Sequence, residues 1–493
     1  MSVAAPGALD RGTAGPRRAV SHKTAVAVVY VAAIFLSTMD TTIVNVALPT
    51  IGRAFGVPTA SVDSVSISYL VSLAVFVPAS GWLGDRFGGK RTLLTAVAVF
   101  TVASALCGIA GSLGELVLFR VLQGAGGGML ASVGMAMLLR SYRPEERVRI
   151  SSVLTMAIAL APTLGPVLGG LLVTDLSWRW VFYVNVPIGV FACVYGGICL
   201  RRDDESRGEH FDAVGFLLSA GGLGSVMYGI SAGPDHGWTS TPVLTAIVVG
   251  VVLLGAMAAV ELRAPAPVID LRLARNRLFS ACSTVMSLES VAFLGTLFVV
   301  SLYFQDGRGL SPLASGLSTA PEALGVICGS QLASRVLYRR LGPRRHLISG
   351  TLASTAFMAL LAIASGAHSL WWMRADLVLM GLGIGQVFVA TQAAAFATIS
   401  PQSSGRASTM FNVGRRLGGA LGVAVATTSL VLVGMPARAS GGGIADPAAY
   451  QVAFLVAAAT NLLALWPALS VRDEDAAKTI PANTRNQKVR TLK

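Results

Sequence analysis

GWLGDRFGGKR, running from Gly81 to Arg91, is a short charged interruption between two apolar runs, residues 62–83 and 92–112. Each run has about 20 residues, enough for a helix to cross a hydrocarbon core about 30 Å thick. The glycines let two helix ends approach closely, and Asp85, Arg86, Lys90 and Arg91 fall where charge reaches water at the membrane surface. The stretch therefore reads as a tight loop joining two membrane-spanning helices.

The same alternation continues in both directions. Spans are expected at about 24–47, 62–83, 92–112, 114–138, 148–173, 179–200, 212–232, 242–261, 279–304, 313–336, 346–366, 372–397, 405–433 and 448–470. The composition agrees, with 54% hydrophobic and 13% charged residues in a chain of 493, where a soluble domain carries about 25% charged. Fourteen spans put both termini on one side of the bilayer. Basic residues choose that side, because short cytoplasmic loops retain Lys and Arg. Alternate connections hold Arg86, Lys90 and Arg91, then Arg140, Arg143, Arg147 and Arg149, then Arg201, Arg202 and Arg207, then Arg263, Arg272, Arg275 and Arg277, then Arg335, Arg339, Arg340, Arg344 and Arg345. The intervening ones hold only the isolated Arg53, Arg179, Arg308 and Arg438. Both termini are expected in the cytoplasm.

The expected organisation is a cytoplasmic tail (1–23), a six-helix bundle (24–200), a linker carrying two additional helices (201–278), a second six-helix bundle (279–470) and a disordered cytoplasmic tail (471–493). The net charge of +14 is spread over short loops, which excludes a nucleic-acid-binding face. Cys107, Cys193, Cys199, Cys282 and Cys328 lack the spacing of a metal site and read as packing residues.

The loop Gly81–Arg91 resembles the signature loop of the major facilitator superfamily, matched at Gly81, Leu83, Asp85, Arg86, Gly88, Lys90 and Arg91. That resemblance implies two six-helix bundles, with the loop serving as a charge and helix-end latch between them. MDTTIVNVALP (Met39–Pro49), APTLGPVLGG (Ala161–Gly170, with Gly165, Pro166, Gly169 and Gly170) and WRWVFYVNVPIG (Trp178–Gly189) are similar to segments of the fourteen-span drug:proton antiporters of this superfamily. RVLQGAGGG (Arg120–Gly128) resembles the fourth-span motif, whose arginine is implicated in proton coupling. ASTMFNVGRRLGGALGVAV (Ala407–Val425) also resembles the family pattern, with Asn412, Arg415 and Arg416 either lining an inner gate or anchoring a helix.

Physical chemistry supplies candidate residues beside the resemblance. Ser37, Asp40, Thr41 and Asn45 follow three- and four-residue steps, a polar stripe expected to face the bundle interior. Asp40 is expected about 12 Å from the outer end of its helix, and Arg120 about 10 Å from the outer end of the fourth, on a stripe with Gln123, Gly124 and Gly127. Either Asp40 exchanges a proton with Arg120 modulating it, or the two form a permanent pair that only holds helices together. Glu289 and Glu322 lie deep in the second half, the first and second candidates to attract a cationic substrate, or else protonated packing groups. Asn45 and Gln123 are further substrate candidates. Asp376, Glu115, Asp212 and Glu261 fall near helix ends and are expected to be solvated.

No GxxxxGK[ST], GxSxG or HExxH occurs, so neither ATP hydrolysis nor an enzyme is expected, and no cofactor beyond a proton gradient. The expected function is proton-driven export of small hydrophobic compounds, cations among them, across a bacterial plasma membrane. The alternatives are a proton-coupled transporter of one metabolite on the same fold, or a non-transporting sensor.

Overall fold

Long apolar runs leave their backbone no partner but itself, and every regular element among the described residues is helical. The computed structural model describes residues 21–201, 212–264, 267–366, 369–433 and 447–480. Most of the N-terminal tail, Arg202, Arg207, Arg438 and the chain after 480 lie outside them.

The first group comprises α1 (His22–Phe55), α2 (Thr59–Phe87), α3 (Gly89–Ile109), α4 (Leu113–Ser141), α5 (Pro144–Asp175), the short α6 (Trp180–Tyr183) and α7 (Asn185–Cys199). Two helices follow, α8 (Ala213–His236) and α9 (Thr241–Glu261). The last group is α10 (Arg277–Leu302), α11 (Pro312–Leu332), the short α12 (Tyr338–Leu341), α13 (Pro343–Ser365), α14 (Leu370–Ala395), α15 (Ser404–Leu432), α16 (Pro447–Leu462) and the short α17 (Leu465–Ser470). The two groups repeat one packing scheme. As α2 packs on α4, α1 on α5 and α3 on α7, so α11 packs on α14, α10 on α15 and α13 on α16. Between the groups α5 meets α11, and α15 meets α2 and α4. α9 packs chiefly on α8, which covers the seam where α2 approaches α15, and most of its surface is open to lipid.

Among the described residues, twelve helices are long and apolar enough to cross a membrane. α11 and α15, where spans 313–336 and 405–433 are expected, have the length but are not among the twelve. Both pack along the seam between the groups, and α15 carries Arg406, Arg415 and Arg416. The helices also overrun the expected spans: α1 continues to Phe55, which places Asp40 about 22 Å from its outer end rather than 12 Å.

The tail is a second correction. Residues 471–480 are folded onto the arginine-rich end of the second group, with Val471, Ala476 and Ile480 buried. The Asp473 carboxylate accepts from the Arg344 backbone N–H (2.8 Å) at the start of α13, and Thr479 pairs with the buried Tyr338 hydroxyl (2.7 Å). A polar stretch without periodicity gave no sign of these contacts.

Candidate functional site

Asp40 lies wholly buried at the centre of the first group, and three side chains converge on it. Its Oδ2 accepts from Arg120 Nη1 (2.5 Å), and its Oδ1 from Gln123 Nε2 (2.8 Å) and Asn185 Nδ2 (3.0 Å). Arg120, 1% exposed, also donates to Gln123 Oε1 (2.7 Å) and, through Nε, to the Val65 carbonyl (3.2 Å). Its guanidinium lies 4.1 Å from the Tyr69 ring centroid and 5.8 Å from that of Phe182. Gln123 in turn donates to Ser104 Oγ at 2.7 Å. An ion pair this deep needs hydrogen-bond partners around it, and both Asp40 oxygens and the Arg120 Nε and Nη1 groups have them, while Asn185 Oδ1 is buried without one.

Glycines set the depth of Arg120. A Cβ at Gly124 would stand 2.6 Å from the Tyr69 carbonyl oxygen, and one at Gly126 2.7 Å from the Phe100 backbone nitrogen. Only glycine lets α4 press between α2 and α3 there, which carries Arg120 up to Asp40. α6 passes into α7 through Val184, which keeps helical dihedrals, and Asn185 at the start of α7 brings an amide to the carboxylate from a third direction.

The polar stripe of α1 divides. Ser37 and Asp40 face inward, whereas Asn45 is exposed and accepts from Ser66 Oγ at 3.2 Å, away from Asp40. Thr41 bonds to the carbonyl of Thr38 on its own helix.

The Gly81–Arg91 loop joins the two groups at the arginine-rich end. Asp85 Oδ1 accepts from Arg140 Nη2 at 2.6 Å, and the same guanidinium reaches across to Ser404 Oγ (3.1 Å) and the Pro401 carbonyl (3.3 Å). Gly81 and Gly405 make the crossing close: a Cβ at Gly405 would stand 3.3 Å from the Asp85 carboxylate. Asp85 thus sits at the positive end of α15. Gly88 turns the chain at φ 82°. Lys90 caps α7 by donating to the carbonyls of Gly197 (2.8 Å) and Leu200 (2.5 Å), while Arg86 and Arg91 are exposed. Arg147 adds a second bridge that its place in a basic loop concealed. It is buried and donates to the carbonyls of Phe396 (2.7 Å) in the second group and Leu139 (3.1 Å) in the first.

On α5, Gly165 and Gly169 press against α1 beside Thr42 and Ile43, and Pro166 faces Gly316 of α11 across the seam, while Gly170 faces open space. In the second group Glu289 is wholly buried beside the Ser354 hydroxyl and the Asn461 amide, with neither oxygen in a well-formed hydrogen bond. Glu322 is equally buried where α11 crosses α14 at Gly381. Neither lies beside Asp40. Asp376 and Glu261, expected to be solvated, are 3% and 1% exposed. Asp376 is covered because α14 packs against α11 and α13 along its length, and Glu261 because the returning chain brings the Ile269 N–H onto it at 3.2 Å. Glu115 and Asp212 are helix-end groups, bonded to the N–H of Gly111 and of Gly215.

Comparison with known proteins gives the family of the chain and the likeness of its fold. The family profile described as Major Facilitator Superfamily matches residues 30–423. The chain is 32% identical over 477 residues to a multidrug resistance protein B homolog of Mycobacterium tuberculosis, covering 89% of this chain and 88% of that one. It is 32% identical over 398 residues to the tetracenomycin C resistance and export protein of Streptomyces glaucescens (80% and 73% covered). With the multidrug export protein EmrB of Haemophilus influenzae it shares 31% over 399 residues (80% and 78%). The crystal structure of the human organic anion transporter MFSD10 superposes with a TM-score of 0.65 at 14% identity, over 90% of this chain and 99% of that one, a likeness of fold.

Proposed function

Because the chain belongs to the major facilitator superfamily, we propose that it is a proton-driven antiporter exporting small hydrophobic drugs or antibiotics across a bacterial plasma membrane. In this reading α11 and α15 join the twelve apolar helices to make fourteen spans, and the arginine-rich end with both termini lies in the cytoplasm. The relatives named for multidrug resistance and for tetracenomycin C export support the cargo class.

The observation that carries the mechanism is Asp40, buried in hydrogen-bond contact with Arg120, Gln123 and Asn185. A proton arriving on Asp40 cancels the charge that holds Arg120 and frees three donors to repack. Those donors come from α4 and α7, so the protonation state of one carboxyl biases how three helices fit together. The seam then opens alternately to either side, with the Asp85–Arg140 latch closing the cytoplasmic end and Gly165–Gly170 sealing α5 against α1 and α11. Glu289 and Glu322 meet a substrate only in a state that loosens the second bundle around them.

The test is uptake of fluorescent hydrophobic dyes of either charge into inverted membrane vesicles, with and without an imposed pH gradient. Gradient-dependent accumulation in the wild type that disappears in Asp40→Asn is expected. Accumulation by Asp40→Asn at the wild-type rate, still gradient-driven, would remove Asp40 from the coupling path.

A further inference from the structure

Arg415 and Arg416 stand about 17 Å along α15 from Ser404, a position that in the fourteen-span reading lies deep in the hydrocarbon layer. Both are partly buried at the seam, and Arg416 reaches across it to donate to Ser37 Oγ of α1 at 3.2 Å. Arg415 reaches only Asn412 Oδ1 on its own helix, at 3.4 Å. The Nε of Arg416 is buried without an acceptor. The ionisable groups near enough to act on the pair are the two arginines themselves and the phenols of Tyr30 and Tyr69. Among the described residues no carboxylate is one of them: Asp40 is held by Arg120, while Glu289 and Glu322 face the interior of the second bundle.

Adjacent guanidinium groups at this depth, without a counter-ion, are costly, and intramembrane cations are retained where a pathway uses them. A fan of N–H donors is suited to planar, bidentate acceptors. We propose that Arg415 and Arg416 form an anion-binding subsite for the exported compound, which is therefore a hydrophobic molecule carrying a carboxylate, sulfonate or ionised phenol. This deepens the exporter reading and rests on it. It also assigns the seam the charge opposite to that expected from the deep carboxylates. Ser37 bonds to the Tyr69 hydroxyl at 3.3 Å, and the Tyr69 ring lies under Arg120. The anion subsite is thus linked to the Asp40 network through two side chains.

Equilibrium binding needs no gradient and so separates this proposal from antiport. The full chain in phosphatidylcholine nanodiscs is titrated with fluorescein, an anionic xanthene, and with rhodamine 6G, a cationic one, reading fluorescence anisotropy. Fluorescein should bind and rhodamine 6G should not. Arg416→Gln or Arg415→Gln should weaken fluorescein by about tenfold to a hundredfold, the loss of a charge-assisted hydrogen bond. Arg416→Glu should reverse the preference toward rhodamine 6G, a gain that misfolding does not produce. Equal affinity for both dyes, no fluorescein binding, or unchanged binding in the double Gln variant overturns the proposal. Loss of fluorescein binding when phosphatidylglycerol is added would assign the subsite to a lipid headgroup and overturn it equally. Fluorescein binding without gradient-driven uptake into inverted vesicles would remove antiport and leave the subsite standing. Gradient-driven uptake of rhodamine 6G without fluorescein binding would do the reverse.

Discussion

Replacing Asp85 by Asn removes one charge from the latch while preserving its shape, and the consequence can be sized. The side chains of Asp85 and Arg140 are 27% and 33% exposed, so their pair at 2.6 Å is screened by water. A pair of this kind contributes about 0.5–1 kcal/mol. The Asp85 charge at the N-terminal end of α15 adds about 0.3–1 kcal/mol. Arg140 keeps its contacts to Ser404 and Pro401 in the variant, so no further loss follows. In the proposed alternating-access cycle the sum, about 1–2 kcal/mol, shifts the ratio of closed to open arginine-rich ends by roughly 5- to 30-fold. Arg86 and Gln402 are exposed on the two sides of the seam and accept spin labels without disturbing the latch. Pulsed electron-resonance distances between them should show a short population in the parent protein and a longer one gaining that factor in Asp85→Asn. A distribution that changes by less than about twofold would mean that backbone packing at Gly81 and Gly405, not charge, keeps this end shut.

Three further outcomes are expected. Arg120→Leu, which leaves Asp40 without its cation and deletes the Val65 contact, should cost about 3–5 kcal/mol, read as a marked loss of melting temperature in detergent; an unchanged melt would show that the pair is dispensable to folding. Glu289→Gln should leave dye binding within about twofold, because its neighbours are a hydroxyl and an amide; a loss confined to cationic dyes would instead place it at the substrate. Asp473→Ala should destabilise by about 0.5–2 kcal/mol, as loss of a capping carboxylate does, and a melt equal to the parent would show that the tail does not hold α13.

The helices were legible because the bilayer permits so few solutions: each apolar run had to be helical, and each cluster of arginines marked a break. The pairing of Asp40 with Arg120 was indicated by the polar stripes of the two helices and the resemblance of the fourth-span segment, whereas the matched depths were off because α1 proved longer than its apolar core indicated. What the sequence concealed were contacts set by helix rotation. Asn45 belongs to the same three- and four-residue pattern as Ser37, yet α1 turns it out of the interior. Asn185 was visible only as part of a motif, since nothing local signals that its side chain meets Asp40. Asp376 and Glu261 were misplaced because distance from a helix end measures depth along the axis, whereas burial depends on which neighbours cover the side.

The two groups of helices carry related polar centres with different electrostatics. In the first, Asp40 on α1 is linked to Asn185 on α7 and, through Gln123, to Ser104 on α3. In the second, Glu289 on α10 lies beside Asn461 on α16 and Ser354 on α13, the helices that correspond in the shared packing scheme. The arginine is what differs. Arg120 stands four residues before Gly124, whose missing Cβ admits the Tyr69 backbone, and Leu377 stands four residues before Gly381, whose missing Cβ admits the backbone of Glu322. With leucine in place of arginine, the second centre has no cation to exchange when its carboxyl gains or loses a proton. In the proposed mechanism a proton on Asp40 releases Arg120 and the donors around it, whereas one on Glu289 would change only contacts with a hydroxyl and an amide. In the proposed antiport mechanism coupling belongs to the first bundle, and α15 of the second presents Arg416 across the seam to Ser37, on the helix that carries Asp40.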